Sequence, residues 1–329
     1  MSGSNQLVSV IIPCFNAECW VGEAIDSCLR QTHRSLEIIV IDDGSTDCSP
    51  DILRSYGAQI RWESTPRHGG GGARNRGVSL SAGKYIQFLD ADDYLLPEKI
   101  ERQVIFLEET GAGVVYGDWR HQYHKPDGRI VLGDVQESGL QADVLEALLG
   151  GWWSANMTLL LRREVVVKCG GWDEALGAGQ DRDFFISIAM SGADVRYQPG
   201  CCSVYRRYGN VTVSTASLQC WLENQWRLLD KAQSKLGQTG RLSARYRRAM
   251  ARSYFHLARN YFDIDRAKYA QVLKAALSLD PGFRPGGSAF YRLIQGILGF
   301  EQADKLASHK RKIRNALRTS DQTVHERTG

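Results

Sequence analysis

The sequence predicts an α/β fold: a mostly parallel, Rossmann-like sheet with helices on both faces, followed by a C-terminal helical annex. Three observations carry this. Two apolar, β-rich runs, residues 8–12 and 36–41, flank a stretch with helical spacing. Strand, helix, strand in so short a span is a crossover unit, and its sheet is parallel. Strands then end abruptly in carboxylates, Asp42 and Asp43 after one, and Asp90, Asp92 and Asp93 after another. Ligands of open α/β sheets bind beyond such carboxyl ends. Finally, the chain changes character after Ser217. Residues 241–320 carry 17 Lys/Arg against 5 Asp/Glu, whereas residues 1–240 carry 23 against 30.

The elements follow in order. Pro13 stops the first strand, and residues 18–31 place Trp20, Val21, Ala24, Ile25, Cys28 and Leu29 on one helical side. After the second strand, Gly44 permits a tight turn and Ser49-Pro50 opens a helix. A short strand is expected over 58–63, then four glycines, 69–72, ahead of a helix starting at Ala73-Arg74-Asn75-Arg76. Strands over 85–89 and 113–118 bracket a helix over 98–110, and an exposed hairpin over 122–132 turns at Pro126-Asp127-Gly128. A short helix over 144–149 leads to Trp152 and Trp153, a strand over 158–161 and a helix from Arg163. Asp181 and Asp183 open a buried helix, strand 194–197 follows, and 204–208 closes the domain. Helices are expected over 221–235, 241–260 and 266–279, the last two resembling one tetratricopeptide helix pair. The expected division is 1–216 for catalysis, 217–300 for the annex and 301–329 for a basic tail.

Chemistry concentrates at the strand ends. Asp90, Asp92 and Asp93 repel one another and stay ionised most readily around a cation. Hard oxygen ligands suit Mg²⁺ or Mn²⁺, with phosphates completing the shell. A helix cap ahead of Pro97 explains one of these acids but not three. Asp42 and Asp43 can accept from a base N–H or a ribose hydroxyl, or else cap a helix. In the glycine-rich stretch backbone can approach a ligand, and Arg74 or Arg76 can meet phosphate. The Gly-Lys-Ser/Thr ending of a Walker loop is missing, and Pro13-Cys14-Phe15-Asn16 stands where a dinucleotide fold carries its glycine turn. Trp152 and Trp153 suit either stacking on a flat ligand or core packing, and Asn156, in the same loop, can hydrogen-bond a ligand. The helix dipole accounts for Asp181 and Asp183 as caps as readily as for a functional role.

Four blocks in this order resemble the inverting family-2 glycosyltransferases, which have the glycosyltransferase A fold. They are residues 10–16, 40–47 (Val-Ile-Asp-Asp-Gly-Ser-Thr-Asp), 72–77 (Gly-Ala-Arg-Asn-Arg-Gly) and 89–93 (Leu-Asp-Ala-Asp-Asp), and the resemblance runs from residue 7 to about 215. It implies that Asp42 and Asp43 meet the nucleotide base, that Asp90 lies near the ribose, and that Asp92 binds Mn²⁺ or Mg²⁺. It makes Asp181 the base, in a pair that reads Glu-Asp in the family and Gln180-Asp181 here. The run Tyr205-Arg206-Arg207 is similar to a late Tyr-Arg segment, with Tyr208 or Gly209 where a histidine is common. Pro13, Phe15, Asn16, Arg74, Ala91, Trp153, Asn156, Gln180 and Arg206 complete the candidate substrate contacts. The implied activity is metal-dependent, inverting transfer from a nucleotide-diphosphate sugar, UDP favoured, to a hydroxyl of a glycan, glycolipid or glycoprotein acceptor in cell-surface polysaccharide or glycoconjugate assembly.

Composition limits the rest. Apolar residues make up 43% of 329, enough for a full core. The eight cysteines show no Cys-x-x-Cys pair, the start is polar, and no run of 18 apolar residues exists, so a reduced cytoplasmic protein is expected. The basic stretch 305–318 suits an anionic membrane surface at the inner face of the plasma membrane. No RNA or DNA motif accompanies it, so nucleic acid is not an expected partner. The alternatives are a non-catalytic nucleotide-sugar binder and a nucleotidyltransferase, which needs a glycine-rich loop after its first strand.

Overall fold

The computed structural model describes residues 6–209, 217–286 and 288–325, with side chains of the final helix as far as residue 310. The chain divides into two compact units, Met1–Leu148 with Trp152–Asn224, and Leu149–Gly151 with Gln225–Gly329.

Among the described residues, the first unit is built on nine strands: β1 (Val8–Cys14), β2 (Leu36–Asp42), β3 (Arg61–Ser64), β4 (Tyr85–Phe88), β5 (Tyr94–Leu95), β6 (Val114–His124), β7 (Ile130–Gln136), β8 (Leu160–Arg162) and β9 (Val195–Arg207). They form one sheet in the order β3-β2-β1-β4-β8-β6-β9-β5, with β7 paired to β6. The first half is parallel, as the crossover pattern requires. Cys14 lies opposite Asp42, and Ile11 opposite Phe88, so the ends of β1, β2 and β4 open at one edge. The strands are buried on both faces, with Val10, Ile11, Ile12, Val40 and Ile41 fully covered. Beyond β4 the sheet is mixed. β8 runs antiparallel to both β4 and β6, while β9 runs parallel to β6. The mostly parallel expectation thus describes the first half, and β8 inserted between β4 and β6 breaks it.

The flanking helices are α1 (Val21–Leu29), α2 (Ser49–Ser55), α3 (Gly69–Leu80), α4 (Lys99–Thr110), α5 (Val144–Leu149), α6 (Arg163–Cys169) and α7 (Gln180–Met190). α3 starts inside the glycines rather than after them. A Cβ on Gly71 would stand 3.2 Å from the Asp173 carbonyl, and one on Gly72 would stand 2.9 Å from His68 Cβ. Gly71 and Gly72 therefore serve close packing of a helical turn, not an open loop. Gly77 does the same against β1, where a Cβ would meet Ile11 Cγ2 at 2.3 Å.

Two expected breaks are absent. The strand over 113–118 continues through the hairpin as β6, and 194–197 joins 204–208 as β9. Asp118 joins them, its buried carboxylate accepting from the Tyr197 hydroxyl at 2.8 Å, the Gly200 amide at 2.8 Å and the Ser138 amide at 2.9 Å. Those bonds hold the Pro199-Gly200 irregularity within the strand, where the β6–β9 register shifts.

α8 (Leu218–Gln238) begins the helical extension and continues into the second unit. That unit adds α9 (Ala244–Tyr261), α10 (Arg266–Leu279) and α11 (Ala289–His325), the last interrupted at Gly299 with φ 81°. Buried Asp304 accepts from Tyr269 and Tyr291 hydroxyls at 3.0 and 2.8 Å and pairs with Arg259 at 2.8 Å, fastening α11 to α9 and α10. Lys305 and Lys310 are exposed, and the side chains of 311–318 lie outside the described residues. Among the described residues, no helix is long and apolar enough to cross a membrane. The eight cysteines are free thiols.

Candidate active site

The edge after β1 and β2 is tied together by short polar bonds. Asn16 takes a left-handed φ of 48°, its amide donates to Ser45 Oγ at 2.9 Å, and its Oδ1 accepts from the Thr46 amide at 2.8 Å. Asp42 is 1% exposed and accepts from Ser64 Oγ at 2.7 Å and the Ser45 amide at 3.2 Å. Asp43 accepts from the amides of His68 at 2.6 Å and Gly69 at 2.9 Å. It is thus the anion at the positive N-terminus of α3. Pro13 is half-buried in β1. Phe15 is exposed, with the Arg67 guanidinium 3.9 Å over its ring. Phe15 and Arg67 form a flat, cationic surface beside the two acids, and no local signal in the sequence marks Arg67.

The edge after β4 differs. Arg74, buried on α3, reaches Asp90 at 2.5 Å and Gln180 Oε1 at 3.0 Å, with its guanidinium 4.4 Å from the Trp172 ring. Burial opposes its charge, but Asp90, Asp181 and Asp92 together hold it above its ordinary pKa. Asn75, next along α3, accepts from the Trp172 amide at 2.9 Å and donates to Glu174 at 2.7 Å. The 72–77 block and the 170–174 turn are therefore two halves of one bonded structure. They place Gln180 and Asp181, at the start of α7, opposite the acidic turn.

Asp181 is half-buried by exposed area but closely surrounded by protein. Burial, then the negative charge of Asp90, pushes its carboxyl up to about 6, while Arg74 pulls it down. Asp183 is buried within the same first turn. Asp92 is raised by burial and by Asp90, and the Tyr208 hydroxyl donates to its Oδ2 at 3.0 Å. Asp93 is raised further, by burial and both neighbouring acids. Ala91, between Asp90 and Asp92, is buried in the core.

Arg206 holds this turn from beneath. Its backbone amide donates to Asp93 at 2.8 Å, and its guanidinium donates to the Asp92 carbonyl at 2.7 Å and to Glu23 at 2.5 Å. The guanidinium lies 4.6 Å over Trp20 and 5.3 Å over Tyr94. Glu23, Trp20, Tyr94 and Tyr208 are partners that sequence reading misses, since nothing local links β9 to α1.

Among the described residues, no group of three or more His, Cys, Asp and Glu side chains is arranged to hold a metal ion. The arrangement still fits a cation that takes one protein carboxylate and completes its shell from phosphate and water. Asp90 is bonded to Arg74 and Asp93 to an amide, while Asp92 meets a neutral hydroxyl and bears a charge its surroundings disfavour.

Trp152 is half-buried, its Nε1 donating to the Ser138 carbonyl at 3.1 Å and its ring meeting Tyr116 and Phe185. Trp153 is 45% exposed. Asn156 is buried, and its amide nitrogen has no partner.

Comparison with known proteins bears on the fold. The family described as Glycosyl transferase family 2 matches residues 9–143. An uncharacterized glycosyltransferase of Haemophilus influenzae is 33% identical over 164 residues, covering 49% of this chain and 64% of its own length. The glycosyltransferase GlyG of Streptococcus pneumoniae is 32% identical over 174 residues, covering 50% and 57%. The chain thus spans less than two thirds of these curated relatives. Among solved structures, S. aureus TarS 1-349 in complex with UDP-GlcNAc superposes with a TM-score of 0.62 at 18% identity, covering 83% of this chain and 81% of that one. Its UDP complex gives 0.61 at 17% identity, covering 95% and 91%.

Proposed function

Starting from a family-2 glycosyltransferase with a glycosyltransferase A fold, we propose that this chain transfers a sugar from a nucleotide-diphosphate donor to an acceptor hydroxyl with inversion. One observation carries the reading. Asp181, with a carboxyl raised to about 6, stands across a single buried arginine from the acidic turn after β4. A base needs a pKa near the operating pH, and Asp181 has one.

Asp181 takes the acceptor's proton, the acceptor oxygen forms the new bond to the anomeric carbon, and the bond to phosphate breaks with its electron pair on the nucleotide diphosphate. One displacement needs one base, so no second nucleophile is required. Asp92 would hold Mn²⁺ or Mg²⁺ together with the donor phosphates, and the ion would neutralise charge on the departing diphosphate. Arg74 sets the distance between Asp90 and the Gln180-Asp181 pair, and Gln180, uncharged, lets it do so without a third acid. Phe15, Asn16, Asp42 and Asp43 form the base and ribose end, while Trp153 and Asn156 lie on the acceptor side.

UDP is the first donor to test, since uracil offers an N–H to an acidic site and TarS, which shares the fold, was crystallised with UDP-GlcNAc. The test is a screen of UDP-, GDP- and dTDP-sugars for thermal protection, because a ligand of the native state raises its stability. A UDP-sugar is expected to give the largest shift, with Mn²⁺ enlarging it. A shift with another nucleotide alone moves the donor assignment, and no shift with any overturns the transferase reading. The acceptor is taken to be a glycan or lipid-linked saccharide. The basic stretch 305–318, preceded by exposed Phe290, Leu293 and Ile297, is read as a contact with anionic lipid at the cytoplasmic face of a membrane. Equal co-sedimentation with neutral and anionic vesicles would discard that contact.

A further inference from the structure

The proposed chemistry leaves a row of rings on β6 without a task. Side chains alternate along a strand, so Trp119, His121 and Tyr123 share one face. They touch in succession, with ring centroids 4.6 Å apart for Trp119–His121 and 5.4 Å apart for His121–Tyr123. Trp153 lengthens the row, 5.5 Å from Trp119. Tyr205, opposite His121 on β9, packs on Trp119 at 5.7 Å and on His121 at 5.5 Å.

Tyr205 brings the middle of the row beside the acidic turn, since the next residue, Arg206, donates its amide to Asp93 at 2.8 Å and its guanidinium to the Asp92 carbonyl at 2.7 Å. Elsewhere the row opens to solvent, with Trp153 45% and Tyr123 36% exposed. Tyr123 is accommodated across the hairpin, since a Cβ on Gly133 would come within 3.1 Å of its Cε2. Packing explains buried Trp119. It does not explain rings left wet at both ends, where their apolar faces are hydrated at a cost.

Such faces match the C–H side of a pyranose, whose hydroxyls are then presented at the ring edges. From Trp119 to Tyr123 the strand advances roughly 13 Å, longer than one sugar ring. We infer that the exposed rings of Trp153 and Tyr123, held by the packed row of Trp119, His121 and Tyr205 between them, form an acceptor subsite that stacks an oligosaccharide of at least two pyranose units. This rests on the transferase reading and adds the class of acceptor to it.

The test titrates the full chain with malto-, cello- and chito-oligosaccharides of increasing length, followed by saturation-transfer NMR. At least one series should bind more tightly with length. Tyr123→Ala and Trp153→Ala should each weaken its longest member about five- to tenfold, the scale of one lost aromatic contact. Tyr123→Phe should retain binding, and thermal protection by a nucleotide sugar should match wild type in all three variants. No gain with length in any series, or unchanged binding by both alanine variants, overturns the subsite. Donor protection without oligosaccharide binding removes the subsite and leaves the transferase. Oligosaccharide binding without donor protection removes the transferase and leaves a glycan-binding surface.

Discussion

The two acidic strand ends look alike in sequence and behave differently in the fold. After β2, Asp42 and Asp43 each accept two hydrogen bonds from the protein, from one hydroxyl, one amide and the N-terminus of α3, and the proposed contact with the donor uses the acceptor positions that remain. After β4, Asp92 and Asp93 are pushed upward by burial and by each other's neighbourhood, and Asp181 joins them from α7. The first end spends its charge on holding loops together. The second retains charge that the protein alone does not neutralise, which is the condition under which a cation and a phosphorylated donor gain most by binding. Carboxylates at a strand end therefore indicate a site only when their hydrogen bonds are counted.

The sharpest way to break this contrast is Asp92→Ala. Loss of the carboxylate proposed to hold the metal should cost about 10³-fold or more in turnover, since ion stabilisation is worth several kcal/mol. Unfolding by urea should be unchanged or slightly harder. Near-normal transfer by this variant in excess EDTA would refute the metal assignment. Asp181→Asn should lose about 10²–10⁴-fold in turnover with donor protection intact. If Asp183→Asn is inactive while Asp181→Asn is not, the roles are reversed.

Asp43→Ala tests the other end. It strips two amides at the start of α3 of their acceptor and should destabilise by about 1–2 kcal/mol, with Asp43→Asn milder. A fully stable Asp43→Ala would show that the cap is idle. The smallest effect is one of pH. Asp181 has a folded pKa above its unfolded value, so its contribution to stability is fully present below pH about 4 and is lost as pH rises through about 6. Arg74, which faces it, remains charged across this window. Asp181→Asn should therefore be more stable than wild type at pH 7, by on the order of 1–2 kcal/mol, and lose that advantage below pH 4. In wild type the activity should climb through pH 6 as the base ionises. An acid-side limb that persists in Asp181→Asn would assign it to another group.

Much of the first unit was legible because its signals are local. Apolar runs, the hairpin turn at Pro126-Asp127-Gly128, and acids placed directly after strands need no tertiary contact to be read. The helix ends around the glycines were misplaced because composition reports flexibility, whereas Gly71, Gly72 and Gly77 are small to admit Asp173, His68 and Ile11. The ring row was missed because β6 was expected to break between Asp118 and Gln122, and its alternation becomes visible only when Asp118 joins β6 to β9.

By itself the sequence determined the order of strands and helices, the carboxylates offered at each strand end and the basic character of the last 80-odd residues, since each depends on neighbours along the chain. Tertiary structure alone decided which carboxylates remain available. The partners that settle it are distant in the chain: Asp43 with Gly69, Arg74 with Gln180, Asp92 with Tyr208, Asp93 with Arg206. A carboxylate's charge state depends on burial and on charges within a few ångströms, and folding, not sequence separation, sets both.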